Sequence, residues 1–452
     1  MSSFINHRND STVNVVEASS KDNVTYYKIV VKVGSVQWDV SHRYSDFVEL
    51  HEKLVNDHGV AKDLLPPKKV IRNKTPKFVE QRREALNEYL KNVFKYLLLT
   101  MPPEFAHFLD FHLYDIFFLL QDLAKKLFLE GDKLLENEKS HKFTLIELHA
   151  ISERFKMACP PTEKQDQMFD FSHILDFCSQ VKSLSIEGSY EKLGTSSIVP
   201  NELFFDLIPF KSLVDLRVLG VPMGSLRDSL VSLSVHIASV VSLNEFLLVD
   251  VLHKDQSSLA DTVVIAFYFS IICFFQIWKK LTVINFASNN INNVDWAIKL
   301  VPKLQHLNLS SNKLSELCDI SCLHDLQVLN LSMNRFSTCH NWHAKIGNIV
   351  KIDLSQNKIE SLQGFSKLYS LESLDLSCNL ITDVEEVQYI CNLPCLEYLW
   401  LTANPVASSI DYRVKVIEQF NARMSEICLD NEKASEKELD TARVLQALRI
   451  SA

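Results

Sequence analysis

The motif L-x-x-L-x-L-x-x-N-x-L recurs six times from residue 281 onward and constrains the fold more than any other feature of the chain. Its asparagines are Asn289, Asn312, Asn334, Asn357, Asn379 and Asn404, spaced by 23, 22, 23, 22 and 25 residues. A repeat of this length supplies one short strand, with its leucines pointing inward, and one return. Alone it has nothing to bury those leucines against, so neighbouring repeats must stack into a continuous core. The asparagine side chain is expected to be buried, bonded to the backbone of the turn and stacked into a ladder. Weaker copies at Val181/Leu184/Ile186, Leu213/Leu216/Val218 and Leu230/Leu233/Val235 extend the array upstream. This gives degenerate repeats over 171–236 and clear ones over 281–406. The stretch DYRVKVIEQFNARMSEICLD reads as a helical cap closing the end of the solenoid. With the charged, helix-prone last stretch it makes up 407–452.

The first 111 residues follow another pattern. Three β-rich runs, VNVVEA, VTYYKIVVKV and VQWDVS, with a turn at Gly34-Ser35, predict a three-stranded meander. Ser45 can cap a helix running to about Asn56. LLPPKKVIRNKTP, 64–76, is a basic loop held extended by its prolines. Lys77 to Leu99 has the periodicity of an amphipathic helix, and Pro102-Pro103 open a short one. Residues 112–170 read as a helical connector, with the Phe-rich stretch Ile116–Leu129 as core or staple. The fold class expected is an α+β domain (three-stranded meander plus helices) followed by an α/β solenoid of repeats.

A net charge of −9 argues against a nucleic-acid binder. The charge is uneven: residues 1–111 carry 16 Lys+Arg against 14 Asp+Glu, and seven of those cations lie between Lys68 and Arg83. Glycine is scarce, 9 of 452. Loops that cradle nucleotide phosphates need it, so a nucleotide-dependent enzyme is not expected. No Walker loop, G-x-S-x-G or H-E-x-x-H occurs, and no catalytic set is assigned. Ten cysteines without dense regular spacing, and a polar start lacking the apolar core of a signal peptide, point to a reducing, cytosolic setting. Cys318/Cys322, Cys391/Cys395 and Cys339-His340 with His343 are read as repeat and loop positions rather than metal ligands. Residues 237–280 form an apolar insert, and its centre, Thr262 to Trp278, is borderline for a membrane span of about 17–25 residues. A span would strand the open ends of two half-arrays on opposite sides of a membrane. A buried inserted segment, a span and retained intron are the three readings of it.

HRYSDF places Arg43 and Tyr44 at a strand-to-helix corner. A phosphomonoester carries about −1.5 to −2 charges. A planar guanidinium donates two parallel bonds to it, and a flat ring offers an apolar floor. Taken alone, an Arg-Tyr pair ahead of a helix is commonly a surface cation beside a core ring. HRYSDF, LLPPKK and EQRREALNEYL together, in this order and spacing, resemble the three lipid-binding elements of the PX (phox homology) domain family over roughly 1–111. The resemblance implies that Arg43 pairs with the 3-phosphate of a phosphoinositide and that Tyr44 stacks under the inositol ring. It implies that Lys68 reaches the 1-phosphate and that Arg82, four residues before Leu86, binds the 4- and 5-hydroxyls. His42 departs from the pattern, since many members carry arginine there. Lys69, Arg72 and Lys74 then form a basic patch worth about 1 kcal/mol each against an anionic leaflet.

A PX domain followed by leucine-rich repeats, with FSHILDF, LPCLEYLWLTANP and EKELDTARVLQALR, is similar to the nischarin-like scaffolds, also called imidazoline receptor antisera-selected. That resemblance covers most of the chain outside about 237–278. It implies a non-catalytic scaffold without cofactor, cytoplasmic and peripheral on early or recycling endosomes. It also implies binding to phosphatidylinositol 3-phosphate membranes, Rac and p21-activated kinase as protein partners, and a role in cell migration. Longer members continue into a coiled coil, so this chain resembles a short form that has lost the integrin tail as partner. The rival reading is a soluble regulatory subunit whose repeats bind or inhibit an enzyme, with the PX fold used for protein contact alone.

In L-x-x-L-x-L the third and fifth positions point outward. The fifth column is small and polar (Asn285, Asn308, Asn330, Asp353, Asp375) until it ends in Trp400, next to Tyr398 of the third column. Tyr398 and Trp400 beside Asp375 and Asp353 have the make-up of an interface anchor. The alternative is that the two rings pack under the C-terminal cap.

Overall fold

The computed structural model describes all residues except 23, 69–74, 138–139, 158–166, 223–224, 227–236, 242–279, 295 and 452. The apolar stretch 262–278 and the weak repeat Leu230/Leu233/Val235 therefore lie outside the described residues. The chain divides into two compact units, Met1–Val181 with Glu187–Pro209, and Lys182–Ile186 with Phe210–Ala452. No helix among the described residues is long and apolar enough to cross a membrane.

In the first unit, β1 (Ser11–Lys21), β2 (Val24–Val33) and β3 (Val36–Arg43) pair antiparallel in chain order. Alternation turns Val13, Val15, Ile29, Val31, Val33, Trp38 and Val40 into the core. Gly34 turns the chain into β3 at φ +58. The ladder breaks at Val16, because Val15 faces Ile29 and Glu17 faces Lys28, which makes a one-residue bulge. The helix packed on β1 repairs it. Asn87 Oδ1 accepts the Val15 N–H at 2.9 Å, and Arg83 Nη1 donates to the Val15 carbonyl at 2.7 Å. Arg83 also pairs with Glu80, so one cation of the basic run serves the fold.

Helices α1 (Tyr44–His58), α2 (Pro76–Tyr96), α3 (Pro103–Phe108) and α4 (Ile116–Asn137) follow. Phe47, Leu50 and Leu54 of α1 and Leu86, Leu90 and Val93 of α2 are buried at helical spacing. Ser45 does not cap α1 as the sequence suggests. It lies inside the helix, and Asp46 reaches back to accept the Arg43 N–H at 3.1 Å. Phe118 of α4 joins the same core, edge-on to Phe111 at 5.4 Å.

Residues 187–209, which the sequence pattern puts among the degenerate repeats, also belong to this unit. Thr195 Oγ1 donates to the Asp39 carbonyl at 2.6 Å, and the Ser197 N–H donates to the Gln37 carbonyl at 3.0 Å. Both carbonyls lie on the edge of β3 that β2 does not cover, and an unpaired edge needs such partners. Ile198 follows into the core and is 4 % exposed.

In the second unit, β4 (Asp215–Leu219), β5 (Ile237–Val241), β6 (Val283–Asn285), β7 (His306–Asn308), β8 (Val328–Asn330), β9 (Lys351–Asp353), β10 (Ser373–Asp375), β11 (Tyr398–Trp400) and β12 (Cys428–Leu429) run parallel, each beside the next. β5 uses the first residues of the stretch read as insert, and its Ala238 takes the register position of the inward leucines. The asparagine ladder joins repeats to one another. Asn357 Nδ2 donates to the carbonyls of Leu331, Leu354 and Ser355, and its Oδ1 accepts the Phe336 N–H of the repeat before. Asn312, Asn334 and Asn379 repeat that arrangement. Beyond Asn404 the cap is not helix alone. After α5 (Tyr412–Glu418) the chain adds β12 to the sheet, and Asp430 Oδ1 accepts the N–H groups of Leu401 and Thr402.

Candidate functional site

Arg43 ends β3 and Tyr44 opens α1, so the two side chains leave one corner in different directions. Arg43 is exposed, and its Nε bonds Asp46 Oδ1 at 2.9 Å. Burial pushes the Asp46 carboxyl up, but its bonds from Arg43 outweigh this and hold it below the usual carboxylate range. The same bond raises the Arg43 guanidinium. Among the described residues the two Nη groups of Arg43 make no hydrogen bond. They are free to form the two parallel donors a phosphate needs. Asp46 thus fixes the arm of Arg43 and leaves its fork open.

Tyr44 is half-buried, and its hydroxyl donates to the Pro66 carbonyl. That bond ties the proline loop to the corner. Lys68 stands exposed two residues farther along that loop. Lys69, Arg72 and Lys74 lie outside the described residues.

Arg82 of α2 is 9 % exposed. Its guanidinium carbon lies 4.3 Å from the Tyr44 ring centroid and 4.4 Å from that of Phe78. Its Nη2 is buried without a hydrogen-bond partner, and among the described residues it has no acid partner. Burial pushes the Tyr27 hydroxyl up, while the Arg82 charge and its hydrogen bond to that hydroxyl oppose the shift. A desolvated cation costs several kcal/mol unless an anion completes it, and here the protein does not complete it. An oxygen-rich anionic ligand would. The structure therefore brings Arg43, Tyr44 and Arg82 to one corner, with Lys68 on the loop anchored there.

His42, the departure from the arginine pattern, stacks on Phe108 at 3.9 Å and bonds the Phe108 carbonyl at 2.6 Å. Sequence reasoning missed Phe78, Asp46 and Tyr27. Phe78 was findable: it precedes Arg82 by four residues on a helix, which places both on one face. Asp46 and Tyr27 carry no comparable local signal.

On the repeats, Tyr398 is 45 % exposed and stacks on the half-buried Trp400, with centroids 6.2 Å apart and planes at 16°. Asp375 is the register partner of Trp400, and Asp353 that of Asp375. All four expected residues thus share adjacent strands. Among the described residues no group of three or more His, Cys, Asp or Glu side chains is placed to hold a metal ion.

Comparison with known proteins places these features in families. Residues 31–112 match the family model of the PX domain. Residues 303–323 match that of the Leucine Rich Repeat, and 348–389 that of Leucine Rich repeats (2 copies). The serine/threonine-protein kinase Sgk3 of Rattus norvegicus is 34% identical over 91 residues, 20% of this chain and 18% of that protein. Sorting nexin-24 of Bos taurus is 38% identical over 77 residues, 17% and 44% of the two chains. The chain thus spans less than half the length of these relatives. Among solved structures, a designed CISK-PX domain shares 29% identity with a TM-score of 0.21, over 22% of this chain and 96% of that one. An internalin (inlF) from Listeria monocytogenes shares 16% with a TM-score of 0.35, over 59% and 73%. The chain carries an N-terminal PX domain, a three-stranded antiparallel sheet plus helices, followed by a leucine-rich-repeat region. PX domains are a phosphoinositide-binding family and leucine-rich repeats mediate protein interaction. Both are generally non-catalytic binding modules.

Proposed function

We propose that the protein is a non-catalytic peripheral membrane scaffold. Its PX domain binds phosphatidylinositol 3-phosphate on early or recycling endosomes, and its repeats hold a protein partner. The observation that carries the lipid reading is Arg82, a buried guanidinium with an unpartnered Nη2 against the Tyr44 ring. In this reading Arg43 takes the 3-phosphate, Tyr44 floors the ring, Lys68 meets the 1-phosphate and Arg82 the 4- and 5-hydroxyls. The resemblance to nischarin-like scaffolds supplies Rac and p21-activated kinase as candidate partners and regulation of cell migration as the process.

The test is sedimentation of the whole chain with vesicles containing phosphatidylinositol 3-phosphate, other phosphoinositides or none. Binding is expected with the 3-phosphate lipid and is expected to be lost in Arg43→Gln without unfolding, a loss of roughly 2–5 kcal/mol. Equal sedimentation of both proteins with that lipid would overturn the assignment.

A further inference from the structure

We propose that the C-terminal end of the repeat strand face receives a basic, extended segment of a partner protein. Its lysine or arginine side chains lie over Tyr398 and Trp400, and their cations meet Asp353, Glu372, Asp375 and Glu397. This rests on the reading that the repeats bind a protein, and it names the chemistry of that protein.

The argument begins with the fifth column. Each residue there from Asn285 to Asp375 uses Oδ1 to close its own turn. Asp353 accepts from Ser355 N at 3.0 Å and Oγ at 2.7 Å, and Asp375 from Ser377 N at 2.9 Å and Oγ at 2.7 Å. Upstream, Asn285, Asn308 and Asn330 perform the same task, accepting from Ala287, Ser310 and Ser332 N at 3.1, 2.9 and 2.9 Å. The fold therefore accounts for an oxygen at the first five positions of the column. It does not account for the change from neutral amide to charged carboxylate at 353 and 375. Glu372 and Glu397, both exposed, stand immediately before the next two strands and add charge of the same sign.

Among the described residues none of these four carboxylates has an ion-pair partner. Strands in a sheet lie about 4.7–4.9 Å apart, so the register partners Asp353 and Asp375 fall within a Debye length of each other. Lys351, exposed on the same face of β9, offsets part of this charge, and a surplus of carboxylate remains. Beside it lies the stacked Tyr398–Trp400 pair, a flat π-surface that attracts cations, tryptophan most strongly. An apolar partner would desolvate the carboxylates without pairing them, and an acidic one would be repelled. A chain of cations on aliphatic stems satisfies both halves of the surface.

The test is fluorescence anisotropy of the full chain with a labelled alternating Arg-Ser peptide and its Glu-Ser counterpart. The basic peptide is expected to bind, more weakly as salt is raised, and the acidic one not to. Asp353→Asn with Asp375→Asn should weaken binding roughly tenfold or more with an unchanged melting temperature, since asparagine already closes the same turn three times upstream. Trp400→Ala should weaken it comparably. Should that variant fail to fold, the paired Asn substitution decides alone. Undiminished binding by the Asn pair, equal binding of the acidic peptide, or no binding of the basic peptide to the wild type would each overturn the proposal. The lipid reading is scored separately: Arg43→Gln should leave peptide binding intact, and the Asn pair should leave vesicle binding intact.

Discussion

Arg82 and Tyr44 meet as cation over ring, 4.3 Å from guanidinium carbon to centroid, although 38 residues separate them in the chain. The Phe78 ring lies equally near, at 4.4 Å. Two aromatic faces hold the guanidinium in place without neutralising it, and its Nη2 stays unpartnered. The folded state bears the cost of that charge.

The first prediction follows from this. Arg82→Met removes the uncompensated charge and keeps most of the volume. The melting temperature should be unchanged or raised, while affinity for phosphatidylinositol 3-phosphate vesicles falls by roughly 2 kcal/mol. A large drop in melting temperature with full vesicle binding would make Arg82 a structural residue only.

Asp115 gives a pH dependence. It accepts from Ser2 Oγ at 2.9 Å, Phe4 N–H at 2.6 Å and Phe117 N–H at 3.0 Å, which pins the first residues to the start of α4. Burial pushes its carboxyl up to about 6 despite those bonds. The folded state therefore holds this proton more tightly than the unfolded chain does. The penalty for ionisation is fully present above about pH 6 and fades as pH falls toward the ordinary carboxylate range. Lowering pH from about 7 to about 5 should add about 1 kcal/mol of stability from this group. Denaturant unfolding at both pH values should show a flatter dependence in Asp115→Asn, and parallel dependences would count against the account.

The asparagine ladder is testable at one rung. Asn357→Ala leaves the Phe336 N–H and three carbonyls without their side-chain partner. The expected cost is about 3 kcal/mol or more, read as a lower midpoint in denaturant. Asn357→Asp should also destabilise, because it keeps the acceptor and loses the donors.

Ile198 tests the discontinuous first unit. It sits 4 % exposed in a core built otherwise from the first 118 residues. Ile198→Ala should destabilise that core by about 2–4 kcal/mol. A chain ending near residue 115 should likewise melt below one ending near 209. Equal melting of the two fragments would show that the segment contributes nothing.

The parts legible in the sequence are those with a local period. The repeat asparagines announce themselves by spacing, and the meander by alternation. Arg43, Tyr44 and Arg82 are readable as candidates because three motifs stand in a fixed order, and the structure brings Arg82 to the Tyr44 ring. The rest depended on contacts that no period encodes. Thr195 reaches Asp39 across 156 residues, and nothing in GTSSIVP marks it as the cover of a strand edge. β12 is two residues long and lacks the leucine context of its neighbours. The fifth column hid a second ladder because asparagine and aspartate do the same work at a turn. Only the bond distances separate the oxygen the fold requires from the charge it does not.

The chain enters the second unit for Lys182–Ile186, returns to the first for Glu187–Pro209, and leaves again at Phe210. Two folds that look consecutive in the linear sequence therefore interleave along the chain. A recombination event that carried off residues 1–112 would take the sheet without the selvedge sewn along β3 and without Ile198. A boundary drawn at residue 112 therefore leaves the cover of β3 behind, and a boundary that keeps it must also carry residues 182–186 of the second unit.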